Sequence, residues 1–390
     1  MKQFAIFNYS GKSPNKGGPI GYLYHLYSGF IDDKPDFLSI VQSDNTNVVK
    51  HVANHSFVEK ITFLYEFKCI VSFIKKGLIV RKKYKNNINN YKLLHIHESE
   101  SVFYLLLFAR YKGKIVLTSH RPESLADEIV NAVKVKHKGS FKLLYSLLVW
   151  IEKYSYKKAD AFIFPSEHAA NIYSKFPGFS QYSEGKPLKY LITGLNYKKP
   201  TCSKSDYFIQ HDIKLNPEKS VVSYIGRHNY IKGYDRVVNS FNVIKSNDAC
   251  VLVAGAPGSI EYPKDSNWVE LGYINDAMNL MKLADVIVIP NRNTYFDLVI
   301  IEALSLGKIV VSSNTGGNID IAKECAGLVL FDNQISDSCS LTIERILKMD
   351  LNERAQLEKQ SRQYYERHCT PQIFASNYIK IITEILVMRY

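Results

Sequence analysis

A chain of 390 residues, 46% hydrophobic and 22% charged, calls for two cores of roughly 150–200 residues each and is neither disordered nor fibrous in composition. Its formal charge of +13 favours polyanions, but no zinc finger, helix-turn-helix or RNA-binding aromatic signature accompanies the lysines, so no nucleic acid partner is expected. Six scattered cysteines, Cys69, Cys202, Cys250, Cys325, Cys339 and Cys369, lack metal-ligand spacing, which fits a reducing cytosol and no metal.

The opening MKQFAIFNYSGK is too short in its apolar stretch for an export signal. The longest apolar runs, Val102 to Ala109 and Leu147 to Ile151, fall short of the ~18–20 residues that span a bilayer. Short β-rich runs alternate with helical patterns throughout, the signature of parallel α/β sheets with crossover helices. Strands are expected at Phe4–Phe7, Phe37–Val41, Leu93–His97, Ile115–Ser119, Phe162–Phe164 and Tyr190–Ile192. A polar stretch, residues 197–219, with Pro200 and Pro217, reads as a linker after a first domain of residues 1–196. A second domain, 220–370, follows with strands at Val221–Ile225, Cys250–Ala254, Val286–Ile289 and Ile309–Ser312 and helices at Tyr234–Lys245, Ala277–Leu283 and Leu298–Leu306. A C-terminal helix, about 371–390, is expected to pack back on the first domain. Such doubly wound sheets bind ligands at the carboxyl ends of their strands, where the strand order reverses.

Basic residues gather at Lys75, Lys76, Arg81, Lys82, Lys83 and Lys85, and again at Lys134, Lys136, Lys138 and Lys142. The second group runs into Phe141–Trp150, a basic, amphipathic segment suited to an anionic membrane surface; a solvated charged face is the other reading.

Three motifs carry chemistry. Gly17-Gly18-Pro19-Ile20-Gly21 follows the first strand and opens a helix, where glycines admit a ligand and helix amides face an anion, although a plain strand-to-helix turn has the same look. It is not the G-x-G-x-x-G of dinucleotide binding. Ser223-Tyr224-Ile225-Gly226-Arg227, then Lys232-Gly233-Tyr234-Asp235, ends the first strand of the second domain, so Arg227 and Lys232 are able to face one diphosphate or simply decorate the surface. The third runs from Pro290 through Thr294 to Gly307, then Asn314-Thr315-Gly316-Gly317. Its Glu302 stands in an apolar helix, where a carboxylate needs donors such as vicinal ribose hydroxyls or a nearby lysine.

Taken together and in register, these motifs resemble the retaining GT-B glycosyltransferases of family 4, over nearly the whole chain. The resemblance implies two Rossmann-like α/β domains facing across a cleft, the first binding the acceptor and the second a nucleotide sugar. It implies that Arg227 and Lys232 clamp the donor diphosphate, that Glu302 holds the ribose and that Gly17 and Gly18 approach the phosphates. Gly226 sits beside the clamp, the Leu271-Gly272-Tyr273 backbone contacts the base, and His120, in Thr118-Ser119-His120, faces the donor sugar unless it is an ordinary loop histidine. Thr294, Tyr295, Phe296, Asp297, Leu298 and Val299 correspond to the donor-sugar turn, but Thr294 stands where the family has Glu and Asp297 where it has Gly. Asp297 either bonds sugar hydroxyls or caps the helix that follows.

The implied activity is of hexosyltransferase type. A sugar moves from a nucleotide sugar, expected to be a UDP-sugar, to a hydroxyl of a lipid-linked or polysaccharide acceptor in capsule, O-antigen or lipopolysaccharide synthesis. No metal or other cofactor is implied, and the place of action is the inner face of the cell membrane. A GT-B nucleotide-sugar 2-epimerase would display more catalytic carboxylates and histidines. A catalytically silent glycosyltransferase-like subunit is the rival that Thr294 keeps open.

Overall fold

The computed structural model describes residues 2–8, 18–30, 38–42, 62–134 and 139–388. Two compact units emerge. The first runs to Pro165, resumes over Ala170–Leu191 and takes in the chain from Ala375; the second comprises Ser166–Ala169 and Ile192–Phe374.

The first unit holds six strands, β1 (Lys2–Asn8), β2 (Leu38–Gln42), β3 (Tyr91–Ile96), β4 (Lys114–Leu117), β5 (Ala161–Phe164) and β6 (Leu188–Tyr190). They form one sheet in the order β2-β1-β3-β4-β5-β6, parallel throughout. Among the described residues its α-helices are α1 (Gly18–Ser28), α2 (Thr62–Tyr84), α3 (Ser99–Leu107), α4 (Leu125–Lys134), α5 (Lys142–Lys158) and the short α7 (Phe179–Ser183), while α6 (Glu167–Asn171) is divided between the two units. Runs such as Ala161–Phe164, buried at every position, are what a sheet covered on both faces demands.

The second unit repeats the plan with β7 (Ser220–Ile225), β8 (Ala249–Ala254), β9 (Trp268–Gly272), β10 (Val286–Ile289), β11 (Ile309–Ser313) and β12 (Leu328–Phe331), ordered β12-β11-β10-β7-β8-β9. Its helices are α8 (Lys204–Gln210), α9 (Tyr234–Asn239), α10 (Phe241–Ser246), α11 (Ala277–Leu283), α12 (Leu298–Ser305), α13 (Asn318–Glu324), α14 (Ser338–Lys348) and α15 (Leu351–His368). Two apolar clusters, one on each side of this sheet, form its core. The last helix, α16 (Pro371–Val387), contributes its residues from Ala375 to the first unit, where Tyr378 is fully buried and Lys189 pairs with Glu384 at 2.9 Å.

Three expectations are corrected. The stretch 197–219 is not a linker: α8 inserts Tyr207 and Phe208 into the second core, and the chain leaves the first unit at Leu191 rather than after Asn196. Its polar surface residues mask a helix only seven residues long, capped by the Ser203 side chain, which accepts from the Asp206 amide. The single helix expected over Tyr234–Lys245 is divided at Ser240, whose hydroxyl donates back to the Arg236 carbonyl at 2.8 Å. Strands β9 and β12 were not expected. Each is short, and β9 carries a carboxylate, Glu270, that is only accommodated because Trp268 Nε1 donates to it at 2.7 Å and the Tyr234 hydroxyl donates as well.

Candidate functional site

In the second unit the chain builds β7, β8 and β9 in one direction and then crosses to the opposite side of β7 for β10 and β11. The carboxyl ends of β7 and β10 therefore flank the point where the strand order reverses, and loops diverge there to leave a crevice. Gly226, Arg227 and Lys232 lie on the loop after β7; Asn291 to Asp297 lie on the loop after β10. Gly233 has φ 67°, and a side chain there would overlap the Pro290 carbonyl, so glycine lets the two loops touch. A second tie is Arg292, which grips Asp235 with both terminal nitrogens at 2.6 Å and stacks over the Tyr230 ring at 3.5 Å.

Lys232 and Asp297 meet at 3.7 Å, and Asp297 Oδ2 also accepts from Asn291 Nδ2 at 2.7 Å and Asn318 Nδ2 at 3.4 Å. The capping reading of Asp297 is thereby corrected. It occupies the N-cap position of α12, but its side chain makes no cap hydrogen bond, because two buried amides and a lysine hold it turned away from the helix. Arg227 is exposed, and among the described residues its guanidinium has no hydrogen bond or ion pair; only its carbonyl is engaged, by the Tyr224 hydroxyl at 2.7 Å and the Asn229 amide at 2.9 Å.

Glu302 stands in the second turn of α12, half-buried and, among the described residues, without an ion pair. Burial pushes its carboxyl up to about 6 against a small opposing pull from Lys198, so the ionised form is a strained state that donors would relieve. Thr294 and Tyr295 are buried, and a side chain at Gly316 would strike the Thr294 carbonyl. Phe296 lies against Gly317, while Leu298 and Val299 are half-buried at the start of α12. Gly272 closes the edge strand β9, its carbonyl accepting from Gly255 N at 2.8 Å, and Tyr273 beside it is 80% exposed. Asn318 and Glu270 escaped the sequence reading, and Asn291 and His228 stood in its motifs without a role; Asn291 and Asn318 hold Asp297, and buried His228 pairs with half-buried Glu270 at 3.6 Å. Asn318 directly follows the quoted Gly316-Gly317, and that position after a glycine turn was the available signal.

In the first unit the order reverses between β1 and β3. Gly18 is the first residue of α1; Gly17 lies outside the described residues. From α1, Tyr22 reaches the rings of His97 and His120 at 5.1 and 5.0 Å. These histidines follow β3 and β4, and His97 Nδ1 lies 2.9 Å from His120 Nε2. Beneath them, His95 is locked. Thr118 donates its one hydroxyl proton to the Ile163 carbonyl, so it must accept from His95 Nε2 at 2.8 Å, leaving His95 Nδ1 to accept from the Tyr378 hydroxyl at 3.0 Å. Burial holds His95 and His120 down to about 3, helped in His120 by the Arg121 charge, and holds His97 well below its ordinary value. All three are neutral imidazoles at pH 7. His97 was read only as the end of a strand, yet its Nε2 is buried without a hydrogen-bond partner.

The chain matches the family model described as "Glycosyl transferases group 1" over residues 207–364 and that described as "Glycosyltransferase Family 4" over 40–180. A Campylobacter jejuni N,N'-diacetylbacillosaminyl-diphospho-undecaprenol alpha-1,3-N-acetylgalactosaminyltransferase is 26% identical over 246 residues, covering 60% of this chain and 63% of that one. The chain spans less than two thirds of the length of the curated relatives it matches first. Among solved structures, a sucrose-phosphate synthase of Thermosynechococcus elongatus superposes with TM-score 0.67 at 16% identity, covering 99% of each chain. Anabaena HepE in complex with UDP and glucose gives 0.63 at 14%, covering 98% and 100%. The fold is that of the GT-B glycosyltransferases.

Proposed function

We propose that this chain is a retaining glycosyltransferase that moves a sugar from a nucleoside-diphosphate sugar, UDP-linked by preference, to a hydroxyl of a lipid-linked or polysaccharide acceptor at the inner face of the cell membrane. The observation that carries the reading is the pairing, at one strand-order reversal, of two cations on the loop after β7 with a half-buried, unpaired carboxylate on α12. A nucleoside diphosphate presents a matching set, with phosphate oxygens for Arg227 and Lys232 and two ribose hydroxyls for Glu302. The UDP bound to Anabaena HepE favours the uridine nucleotide, and the lipid-diphosphate acceptor named for the Campylobacter relative favours a lipid-linked hydroxyl in surface-glycan synthesis.

In this mechanism the leaving diphosphate is stabilised by Arg227 and Lys232, so the clamp supplies the positive charge without a metal. Lys232 is aimed by Asp297, which the Asn291 and Asn318 amides fix in turn. The acceptor hydroxyl attacks from the face the diphosphate leaves, and a phosphate oxygen takes its proton. His120, neutral and hydrogen-bonded to His97, orients a hydroxyl of the donor sugar rather than delivering a charge. The Gly272–Tyr273 backbone receives the base, and the turn from Thr294 to Val299 shapes the sugar pocket.

Arg227→Ala and Lys232→Ala are each expected to weaken UDP binding about tenfold or more, the worth of a charge-assisted hydrogen bond to phosphate. Calorimetry reads it, and UDP affinity unchanged in both variants would overturn the clamp. One observation favours a second reading, a silent subunit: Thr294 takes the place of the family's first glutamate. Release of UDP or GDP from a panel of nucleotide sugars with a lipid-linked acceptor extract decides, since a silent subunit binds nucleotide and turns over none.

A further inference from the structure

Helix α2 carries two apolar stripes, and the core uses only one. Tyr65, Cys69, Ile70 and Phe73 pack against the cluster of Leu125, Phe141, Leu144 and Leu148. On the other side Leu64, Phe67, Ile74 and Leu78 stand 38%, 58%, 51% and 51% exposed, at the three- and four-residue spacing of one helix face. Lys68, Lys75 and Lys82, exposed and seven residues apart, line that stripe. The helix bears six basic residues, Lys68, Lys75, Lys76, Arg81, Lys82 and Lys83, against one acid, Glu66. That acid is turned inward, accepting from the Leu144 amide in the first turn of α5 at 2.8 Å, so it subtracts nothing from the outer face. The same bond fixes α2 beside α5, on which Leu143 and Trp150 are 59% and 50% exposed.

We propose that the outward face of α2, extended by Leu143 and Trp150 of α5, is the surface on which the chain docks to a bilayer of anionic lipid. The proposal rests on the membrane-surface reading above and names the element responsible. An apolar stripe edged by lysines lies in the headgroup boundary, with Phe67, Ile74 and Leu78 below the phosphates and the lysines among them. Six cations on 23 residues rule out a spanning role, and no helix among the described residues is long and apolar enough to cross a membrane. A symmetric pairing of two copies through this face would oppose like charges, and a nucleic acid backbone offers nothing to the apolar stripe.

Sedimentation of the full chain with phosphatidylcholine vesicles, with and without phosphatidylglycerol, tests the proposal. Binding at least tenfold tighter to the anionic vesicles is expected, since each lysine near the surface contributes about fivefold, and it should weaken with salt. The variant F67S/I74S/L78S should lose about tenfold or more on those vesicles, and K75E/K82E likewise with a shallower salt dependence. All five positions are exposed, so unchanged circular dichroism and UDP affinity are expected of both variants. Equal binding to both vesicle types, no binding at all, wild-type binding by either variant, or a variant that changes solution mass or RNA binding instead would overturn it. UDP affinity separates the outcomes: vesicle binding without UDP binding defeats the transferase reading alone, and UDP binding without vesicle binding defeats this one.

Discussion

Glu302→Gln is expected to make the chain more stable and a much weaker binder of UDP at once. Burial raises the Glu302 carboxyl from 4.5 to about 6, so the fold disfavours the ionised form. A raised carboxyl destabilises the fold at pH values above its folded value, and the penalty disappears as pH falls below the unfolded value. Above pH 6 the difference amounts to about 1–2 kcal/mol once partial exposure is allowed for, and Gln removes it. A melting temperature higher by roughly 2–6 °C should follow. UDP binding should move the other way. Two charge-assisted bonds to ribose, roughly 1.5–3 kcal/mol each, give way to at most one neutral bond, a deficit of about 2–4 kcal/mol or 30- to 1,000-fold. In the wild type, affinity should decline as pH drops through about 6. Calorimetry with UDP and a thermal melt settle both halves; a variant that is destabilised, or that binds UDP normally, contradicts the assignment.

Acidification from pH 7 to 5 should cost the first unit roughly 2–4 kcal/mol of stability. The fold holds His95 and His97 neutral, whereas the unfolded chain protonates them below about 6.5. A depressed histidine therefore contributes stability that is complete above the unfolded value and drains away as pH falls. At pH 5 each of the two costs about 2 kcal/mol, and the less enclosed His120 adds to this. Glu152 opposes them. Burial raises its carboxyl to about 7 despite bonds from the Leu125 amide and the Tyr156 hydroxyl, so protonation in the fold returns about 2 kcal/mol over the same window. Urea titrations at pH 7 and 5 measure the net, and His97→Asn should flatten the dependence by about 2 kcal/mol. Stability that is level across this range in the wild type would sink the account.

Strands β1, β5, β8 and β10 were legible because continuous apolar runs of four to six residues between polar stretches have few other homes than a covered parallel sheet, and β7 and β11 because their β-branched and aromatic residues are interrupted or ended only by small serines. The placement of Arg227 and Lys232 after the strand β7 and of Glu302 on a helix was legible from the pattern of strands and helices around them. What the sequence hid was held by distant partners. The value of Asp297 depends on Asn318, twenty-one residues on, and Glu270 makes sense only beside Tyr234 and Trp268. The short α8 lacked enough turns to show a period, and the outward stripe of α2 was invisible because hydrophobicity alone does not say which of two apolar faces meets the core.

The hydrogen bond between His95 and Tyr378 joins residues 283 apart in sequence. During synthesis the ribosome emits the intervening chain at about 5–20 residues per second, so β3 waits on the order of 15–60 s for its last partner. For that interval the nascent first sheet holds a buried imidazole with one nitrogen unmet, and Phe4 and Phe30 lack the Tyr378 ring that later lies against both. The second unit, built from Ser166–Ala169 and Ile192–Phe374, waits less long: the Leu195 carbonyl accepts from the Tyr365 hydroxyl, 170 residues on. The half of the protein born first is thus the half completed last, and its exposed period is when a chaperone would find it.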